Sequence, residues 1–253
     1  MINNNECAVF VSSCDAFQDI WNPFFILFFR YWPDCPFPIY LISNYKIYQD
    51  ERVKTIAVGE DKKWASNLKN VIKQYSYPYL IYFQEDYLLK TKVDTKHILE
   101  LLEILKNEQA ACLRLYPSPG PDKFFKNYKD IGEINKNVNY SFSTQASLWS
   151  SKILYNILPD GISGWDMELK EKERVKKISQ PFLSVKKNKP AINYFATAIK
   201  KGRWYYDAIK LCQKEGIKIN KEKRPIEKFS RYVLRKLINI PIFGRVINFI
   251  SKQ

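Results

Sequence analysis

Residues 79–86 read YLIYFQED. The first five are aromatic or aliphatic β-formers without a polar break, as in a strand that is buried on both faces of a sheet. One amide and two acids, Gln84, Glu85 and Asp86, follow them directly. Ligands of a parallel sheet bind at the carboxyl ends of its strands, so this stretch predicts acidic side chains at the ligand-binding edge.

Similar apolar runs lie before and after this strand, and helix-like segments separate most of them. The predicted strands are Cys7–Ser13, Ile39–Ser43, Val53–Val58, Tyr79–Phe83 and Ala111–Tyr116. The predicted helices are Phe24–Trp32, Trp64–Tyr75 and Asp94–Glu108. Strands that alternate with helices over the first 120 residues indicate an α/β fold, with a mostly parallel central sheet flanked by helices.

Pro23 interrupts the segment after the first strand. The pattern Asp15-x-x-Gln18 resembles a capping box, and Asn22-Pro23 suits the N-cap and first residue of a helix. We therefore expect one helical turn and then a second helix that begins at Pro23.

The pattern is weaker after residue 120. The predicted elements there are a polar loop, a strand and three helices, in this order: Asp122–Val138, Tyr140–Leu148, Ser150–Leu158, Ala191–Lys201 and Trp204–Glu215. Together the elements predict one domain over residues 1–220 and a helical tail over residues 221–253.

The composition is that of a globular protein made and kept in the cytoplasm. Of 253 residues, 46% are apolar and 26% are charged, which excludes a disordered chain. The N-terminal MINNNECAVF lacks the basic region and apolar core of a signal peptide. No apolar run reaches the roughly 18 residues of a membrane-spanning helix. Five widely spaced cysteines without a CxxC pair argue against a disulfide framework or a zinc site.

The positive charge is concentrated in the tail. The chain carries a net charge of +15, and residues 221–253 hold nine Lys and Arg against two Glu. The segment 226–240 also places apolar residues along one helix face. A basic amphipathic helix of this kind suits peripheral contact with an anionic membrane, here the inner face of the cytoplasmic membrane. A helix docked on the domain with its basic face solvated explains the pattern equally well, and the sequence leaves both open.

Two pairs of acids are candidates for chemistry. Glu85 and Asp86 at the strand end suit a hard cation such as Mg²⁺ or Mn²⁺, which can hold a diphosphate. Asp166 and Glu168 follow a glycine-containing loop and suit a general base. Each pair also has an ordinary structural explanation, as solvated acids at a strand end or as acids in the first turn of a helix.

The order of these features resembles the GT-A glycosyltransferases, especially the family-2-like bacterial enzymes. The resemblance is carried by the following stretches: Gly59, Trp64–Leu68, Tyr79–Asp86, Phe142–Trp149 and Trp165–Glu168. Stretches such as Trp21-Asn22-Pro23-Phe24-Phe25 and Tyr31-Trp32-Pro33-Asp34-Cys35-Pro36 look like uncharacterised glycosyltransferases of bacterial capsule and lipopolysaccharide gene clusters. The resemblance covers about residues 7–215 and implies a GT-A-like, Rossmann-like domain.

The resemblance also implies a function and a set of site residues. It implies transfer of a sugar from a nucleotide-diphosphate sugar to a hydroxyl of a glycan or lipid-linked acceptor, in bacterial surface polysaccharide biosynthesis. Direct displacement would make the transfer inverting, and the sequence leaves a retaining outcome open. Asp86 would bind Mn²⁺ or Mg²⁺, and Asp166, or else Glu168, would be the base. The implied donor-binding residues are Ser12, Asp15, Asn44, Trp64, Asn67, Gln84 and Glu85. Gln84 stands where the family has the first Asp of its Asp-x-Asp motif, and its amide can still bond a ribose hydroxyl.

Two other classes of protein compete with this interpretation. The charge and the 15% aromatic residues would suit a non-catalytic protein that binds nucleic acid or another anionic surface. No RRM, KH, OB or zinc motif is visible, so no specific nucleic-acid partner is expected. A sugar-phosphate nucleotidyltransferase shares the α/β core, but it normally has a glycine-rich loop where this chain has Ser12-Ser13-Cys14-Asp15.

Overall fold

The computed structural model describes residues 6–238 of the chain. Its contacts divide the chain into two compact units, Met1–Ala196 (unit 1) and Thr197–Gln253 (unit 2). The predicted division at residue 220 remains a prediction, and the part of the predicted tail beyond residue 238 lies outside the described residues.

Unit 1 is built on a nine-stranded sheet in the order β3-β2-β1-β4-β9-β6-β10-β8-β7. A two-residue ribbon joins β5 to β11 beside it. The strands are β1 Cys7–Ser12, β2 Ile39–Ser43, β3 Val53–Ala57, β4 Tyr79–Gln84, β5 Leu88–Leu89, β6 Cys112–Arg114, β7 Lys123–Phe124, β8 Ile131–Glu133, β9 Ser147–Ser150, β10 Phe182–Val185 and β11 Tyr194–Phe195.

Most strands of this sheet run in one direction. β3, β2, β1 and β4 are parallel to one another, and β6 is parallel to β10. β9 lies antiparallel between β4 and β6, so both of those blocks point the same way. This arrangement confirms the predicted fold class, an α/β domain with a mostly parallel central sheet.

Six helices belong to unit 1: α1 Gln18–Tyr31, α2 Trp64–Tyr75, α3 Thr95–Asn107, α4 Ser151–Ile157, α5 Gly164–Lys170 and α6 Lys172–Lys176. The predictions for α2, α3 and α4 are confirmed to within a residue at each end. In α2, Leu68, Val71 and Ile72 recur at helical spacing and are buried, so the helix covers the sheet with one face. The core on this side includes Phe10 and Tyr82 of the sheet.

The prediction that Pro23 begins a separate helix is wrong. Asp15–Phe17 is a 3₁₀ turn, and α1 then runs without interruption from Gln18 through Pro23. Proline removes one backbone hydrogen bond of a helix. Here Phe24 and Phe28 pack edge-on against Phe83 of β4, with ring centroids 6.1 and 5.9 Å apart. We attribute the continuity of α1 to this packing, which outweighs one lost bond.

Three predictions for the second half of unit 1 are also wrong. The loop predicted at Asp122–Val138 contains β7 and β8, and the strand predicted at Tyr140–Leu148 begins only at Ser147. The helix predicted at Ala191–Lys201 is extended and contains β11. These strands are two to four residues long, so they depend on pairing with other strands, and the partners of β8 and β11 include strands that are distant in sequence.

Unit 2 contains the hairpin of β12 Ile199–Lys200 and β13 Arg203–Trp204, followed by α7 Tyr206–Lys214 and α8 Phe229–Ile238. The backbone of Trp204 accepts from Glu227 and donates to Pro225, both at 2.9 Å. The segment before α8 is therefore bonded to β13. Within residues 6–238, no helix has both the length and the apolar character needed to cross a membrane.

Candidate functional site

The carboxyl ends of β1, β2 and β4 bring several predicted site residues to one edge of the sheet. Ser12 and Gln84 are register partners across β1 and β4, and Ser12 is also the partner of Ile42 in β2. Asn44 follows β2 directly. The carboxyl ends of these three strands therefore lie side by side.

A buried tyrosine hydroxyl organises this edge. Trp64 Nε1 donates to Tyr82 Oη at 2.7 Å, and Gln84 Nε2 donates to the same oxygen at 3.3 Å. Burial raises the pKa of Tyr82, while its hydrogen bonds with Gln84, Trp64 and Ser12 act in the opposite direction. Three residues predicted separately as donor-binding groups therefore share one hydrogen-bonding centre.

Asp15 and Asn44 form a reciprocal clamp between the ends of β1 and β2. The Asp15 carboxylate accepts from the backbone N–H groups of Asn44, Tyr45 and Lys46 at 3.1 to 3.2 Å. Asn44 Oδ1 accepts in turn from the Asp15 backbone N–H at 3.2 Å. The Asn44 side chain also donates to the carbonyl of Gly59, whose positive φ of 76° suits glycine. These contacts fix the loop backbones that border the edge.

Asn67 holds the loop that leads into α2. Its Nδ2 donates to Asp61 Oδ1 at 2.9 Å, and its Oδ1 accepts from the Lys62 backbone N–H at 3.3 Å. Asp61 Oδ1 also accepts from the Lys63 backbone N–H at 2.9 Å. Asn67 therefore shapes the loop beside Trp64, and its role in donor binding remains a prediction.

The acidic turn after β4 is tight and buried. The backbone N–H of Tyr87 donates to the carbonyl of Gln84 at 3.1 Å, which closes the turn. Glu85 and Asp86 are each only 8% exposed. Burial is the main reason that the pKa values of Cys14 and Tyr87 are raised, and the charge of Glu85 adds to the first and that of Asp86 to the second. The two carboxylates therefore face different neighbours.

The donor set of this turn fits a divalent cation that shares its coordination with phosphate and water. Mg²⁺ is commonly bound by one or two carboxylates together with substrate phosphates. Within residues 6–238 no cluster of three or more His, Cys, Asp or Glu side chains is arranged to hold a metal ion. Asp86 as a metal ligand remains a prediction.

A group of buried tyrosines lies next to Asp86. Tyr87 and Tyr194 stack with ring centroids 4.9 Å apart. Tyr194 Oη donates to Gln145 Oε1 at 2.6 Å, and Tyr87 Oη donates to the carbonyl of Thr144 at 3.0 Å. The acidic turn is thereby bonded to the segment that precedes β9.

The predicted catalytic pair lies on α5, and its two acids have different surroundings. Ser163 caps the helix by accepting from the Asp166 backbone N–H at 3.1 Å. The Asp166 carboxylate accepts from Ser163 Oγ at 2.6 Å and pairs with Lys170 Nζ at 2.6 Å. Its pKa is lowered by Lys170 and then by Ser163. The Asp166 side chain is 37% exposed, so it remains open to an incoming group.

Glu168 on the same helix points inward. Its Oε1 accepts from the Thr144 backbone N–H at 2.6 Å, from Thr144 Oγ1 at 2.9 Å and from Ser143 Oγ at 3.4 Å. A Cβ on Gly164 would lie 3.2 Å from Thr144 Cγ2 and 3.6 Å from the Trp64 ring, so glycine permits this approach of α5. Glu168 therefore anchors α5 beside the sheet edge.

Arg114 is a buried side chain that holds the segment before Ser143 and Thr144. The side chain is 1% exposed, and its guanidinium donates to the carbonyls of Pro119, Tyr140 and Ser141 at 2.6 to 2.9 Å. Burial lowers the pKa of Arg114, and the charge of Glu168 is among the groups that raise it. A buried cation thus fixes the loops that carry Ser143 and Thr144.

The structure brings most predicted site residues to one edge and adds several that the sequence prediction missed. The missed residues are Tyr82, Tyr87, Ser143, Thr144 and Tyr194. Tyr82 could have been found, because strand periodicity puts it on the same face as Gln84 and its hydroxyl needs a partner when buried. Thr144 and Tyr194 carry no local signal.

Comparisons with protein-family models and with curated proteins found no match. Among solved structures, residues 1–349 of Staphylococcus aureus TarS are similar, with 12% identity and a TM-score of 0.48 over 76% of this chain. TarS 1–349 in complex with UDP-GlcNAc matches 67% of this chain and 53% of that one, with 11% identity and a TM-score of 0.46. A cytidylyltransferase from Leptospira borgpetersenii has 11% identity and a TM-score of 0.47 over 83% of this chain and 95% of its own.

The chain spans about 60% of the length of TarS 1–349. Matches at this identity and TM-score carry no information on the substrate or the reaction. Substrate and reaction must therefore be argued from the residues at the sheet edge.

Proposed function

We propose that the protein is a glycosyltransferase that uses a nucleotide-diphosphate sugar. The observation that carries this proposal is the link through Thr144 between the acidic turn after β4 and helix α5. Tyr87, the residue after Asp86, bonds the carbonyl of Thr144, and Glu168 bonds its N–H and hydroxyl. One segment thus holds a diphosphate-binding candidate and a general-base candidate at the same edge.

The donor side of the proposed site is the edge formed by β1, β2 and β4. Gln84 is oriented by its bond to Tyr82, which uses one amide hydrogen and leaves its Oε1 as an acceptor for a ribose hydroxyl. The Asp15–Asn44 clamp sets the backbone on which the nucleoside would lie. Asp86 would bind Mn²⁺ or Mg²⁺, and a cation there would neutralise the leaving diphosphate.

The acceptor side of the proposed site is α5. In an inverting transfer, the acceptor oxygen attacks the anomeric carbon while the bond from that carbon to the diphosphate breaks. The acceptor proton passes to a carboxylate. We assign this role to Asp166, because its side chain is partly exposed. Glu168 is a positioning residue, since its Oε1 already accepts from Ser143 and Thr144.

The proposed acceptor is a hydroxyl of a glycan or of a lipid-linked saccharide in bacterial surface polysaccharide biosynthesis. Work on such an acceptor would take place at the cytoplasmic face of the membrane, so peripheral contact with an anionic bilayer belongs to the proposal.

A nucleotide-binding assay tests the proposal. Thermal unfolding is followed with UDP-, GDP-, dTDP- and CMP-sugars, each with and without Mn²⁺. A donor at a hundred times its Kd stabilises a protein by about 2.7 kcal/mol. Asp86→Asn is expected to remove the stabilisation that depends on Mn²⁺ while the protein alone unfolds as before. Asp130→Asn is the matched control, because Asp130 pairs with Lys189 and has no role in the proposed site.

Product analysis separates the proposal from its competitors. Release of a nucleoside diphosphate with a glycosylated acceptor supports it. Release of pyrophosphate from a nucleoside triphosphate and a sugar phosphate would instead identify a nucleotidyltransferase. If no nucleotide shifts the unfolding temperature, the proposal is wrong, and a non-catalytic protein that binds nucleic acid or another anionic surface becomes the better interpretation.

A further inference from the structure

Unit 2 has a large excess of positive charge. Residues 197–238 hold thirteen Lys and Arg against four Asp and Glu. Cations therefore outnumber carboxylates by nine in this range. A surface of this kind attracts an anionic partner.

One side of α8 is docked on α7. The Tyr232 ring lies 5.1 Å from the Tyr206 ring, measured between centroids. Arg235 pairs with Glu227 at 2.7 Å and with Asp207 at 3.0 Å, and Lys236 pairs with Asp207 at 3.1 Å. Two of the basic residues that the sequence offered for membrane contact are therefore used to hold the helix in place.

The other side of α8 is open and apolar. Val233 is 37% exposed and Leu234 49%, whereas Phe229, although 62% exposed, packs edge-on against Tyr206 of α7. An α-helix turns by about 100° per residue, so Val233 lies about 100° and Leu234 about 160° around the helix from Tyr232. Both therefore face away from the side that is docked on α7. Arg231, three residues before Leu234 and therefore next to it on the helix surface, is exposed, and it forms no ion pair within the described part of the chain.

We propose that this face of α8 docks on an anionic lipid bilayer. Val233 and Leu234 enter the boundary between headgroups and acyl chains, and Arg231 binds lipid phosphates. Apolar side chains flanked by cations suit the bilayer interface, where each contributes to reversible binding. Tyr232, Arg235 and Lys236 dock the opposite side of α8 and keep the Val233–Leu234 side exposed. The helix would therefore always contact the bilayer through that same side.

A bilayer fits this face better than a protein partner does. A protein interface has an apolar core that is depleted of charged residues, surrounded by a polar rim. Here the whole unit is unbalanced, and the exposed apolar residues are few. Residues 239–253 and a second copy of the chain are the other candidates to cover the face, and the experiment distinguishes them.

Vesicle sedimentation of the full-length chain tests the proposal. Vesicles of phosphatidylcholine with about one third phosphatidylglycerol are compared with pure phosphatidylcholine, at low and high salt. We expect binding to the anionic vesicles only, and loss at high salt. Val233→Asp with Leu234→Asp should lower binding at least tenfold. Arg231→Glu should lower it at least about fivefold, because one basic residue near an anionic surface contributes about 1 kcal/mol. Ile47→Asp, at a position 51% exposed in unit 1, is the control and should not change binding.

Three results would overturn the proposal. Equal binding to neutral vesicles would show that charge is not used. Unchanged binding of the Val233/Leu234 double variant would remove α8 from the interface. A marked drop in its unfolding temperature would show that the face is covered, by residues 239–253 if the chain is monomeric in sedimentation analysis and by a second copy if it is dimeric. Each readout is independent of turnover, so the outcome does not depend on the proposed glycosyl transfer.

Discussion

The two units of this chain differ sharply in charge and in how their polar groups are used. Met1–Ala196 carries 26 Lys and Arg against 22 Asp and Glu, whereas Thr197–Gln253 carries 15 against 4. Unit 2 therefore supplies +11 of the net +15 in less than a quarter of the residues. Net charge calculated over the whole chain hides this division.

At the sheet edge, unit 1 pairs its polar groups with one another, which is typical of a pre-organised small-molecule site. The Tyr82 hydroxyl, the Asp15–Asn44 clamp and the Thr144 link each occupy several donors and acceptors with short bonds. Unit 2 instead has a large excess of cations, with exposed Val233 and Leu234 on α8, as a surface-binding element does. The comparison predicts that changes in unit 1 alter catalysis or folding without changing vesicle binding, and that changes on α8 have the opposite effect.

The largest effect is expected at α5. Asp166→Asn removes the proposed base and should lower turnover by 10³-fold or more, while nucleotide binding and vesicle binding stay intact. Glu168→Gln keeps an acceptor oxygen for Thr144 and should lower turnover less than tenfold. Steady-state kinetics with a soluble acceptor measure both. The reverse ranking would make Glu168 the base and would contradict the assignment.

Lys170 provides a test of the same assignment through pH. Lys170 and Ser163 lower the pKa of Asp166, so Asp166 stays ionised to lower pH than an ordinary Asp. Lys170→Met should raise that pKa towards its usual value and move the acidic limb of the rate profile to higher pH. Lys176→Met is the control, because Lys176 pairs with Glu173 outside the site. An acidic limb that does not move would separate Asp166 from the proton transfer.

The next largest effect is expected from Arg114, as a loss of stability. Arg114→Met leaves the carbonyls of Pro119, Tyr140 and Ser141 without their shared donor in a buried place. We expect the free energy of unfolding to fall by about 3 kcal/mol. Arg114→Lys should recover part of this loss, since an ammonium group can still donate. Denaturant unfolding measures both variants, and equal stability of Met and Arg at this position would show that the carbonyls find other partners.

Sequence alone predicted the regular part of unit 1 well. The strands β1 to β4 and the helices α2 to α4 have long apolar runs or clear helical spacing, so local pattern and tertiary structure agree. The same reasoning located Gln84, Glu85 and Asp86. An apolar run followed directly by polar residues marks the end of a buried strand, whichever strands it pairs with.

The short strands and the links of the site could not be predicted in this way. β11 is two residues long and pairs with β5, more than 100 residues earlier in the chain, so nothing local to Tyr194 and Phe195 specifies it. Thr144 contacts Tyr87 and Glu168 from a segment without regular structure. The burial of Arg114 depends on contacts with loops that have no periodic pattern, so the sequence does not predict it.

The smallest effect is expected at the centre of the donor edge. Tyr82→Phe keeps the ring and its packing against Trp64 but removes the oxygen that accepts from Trp64 and Gln84. A buried hydrogen bond contributes about 1 kcal/mol net, so the free energy of unfolding should fall by about 1–2 kcal/mol. Donor binding should also weaken several-fold, because Gln84 loses the contact that orients its amide. Tyr79→Phe, in the same strand but at its opposite end, is the matched control and should leave donor binding unchanged. If Tyr82→Phe lowers stability without weakening the donor, Tyr82 only supports the fold, and Gln84 is oriented by something other than its hydroxyl.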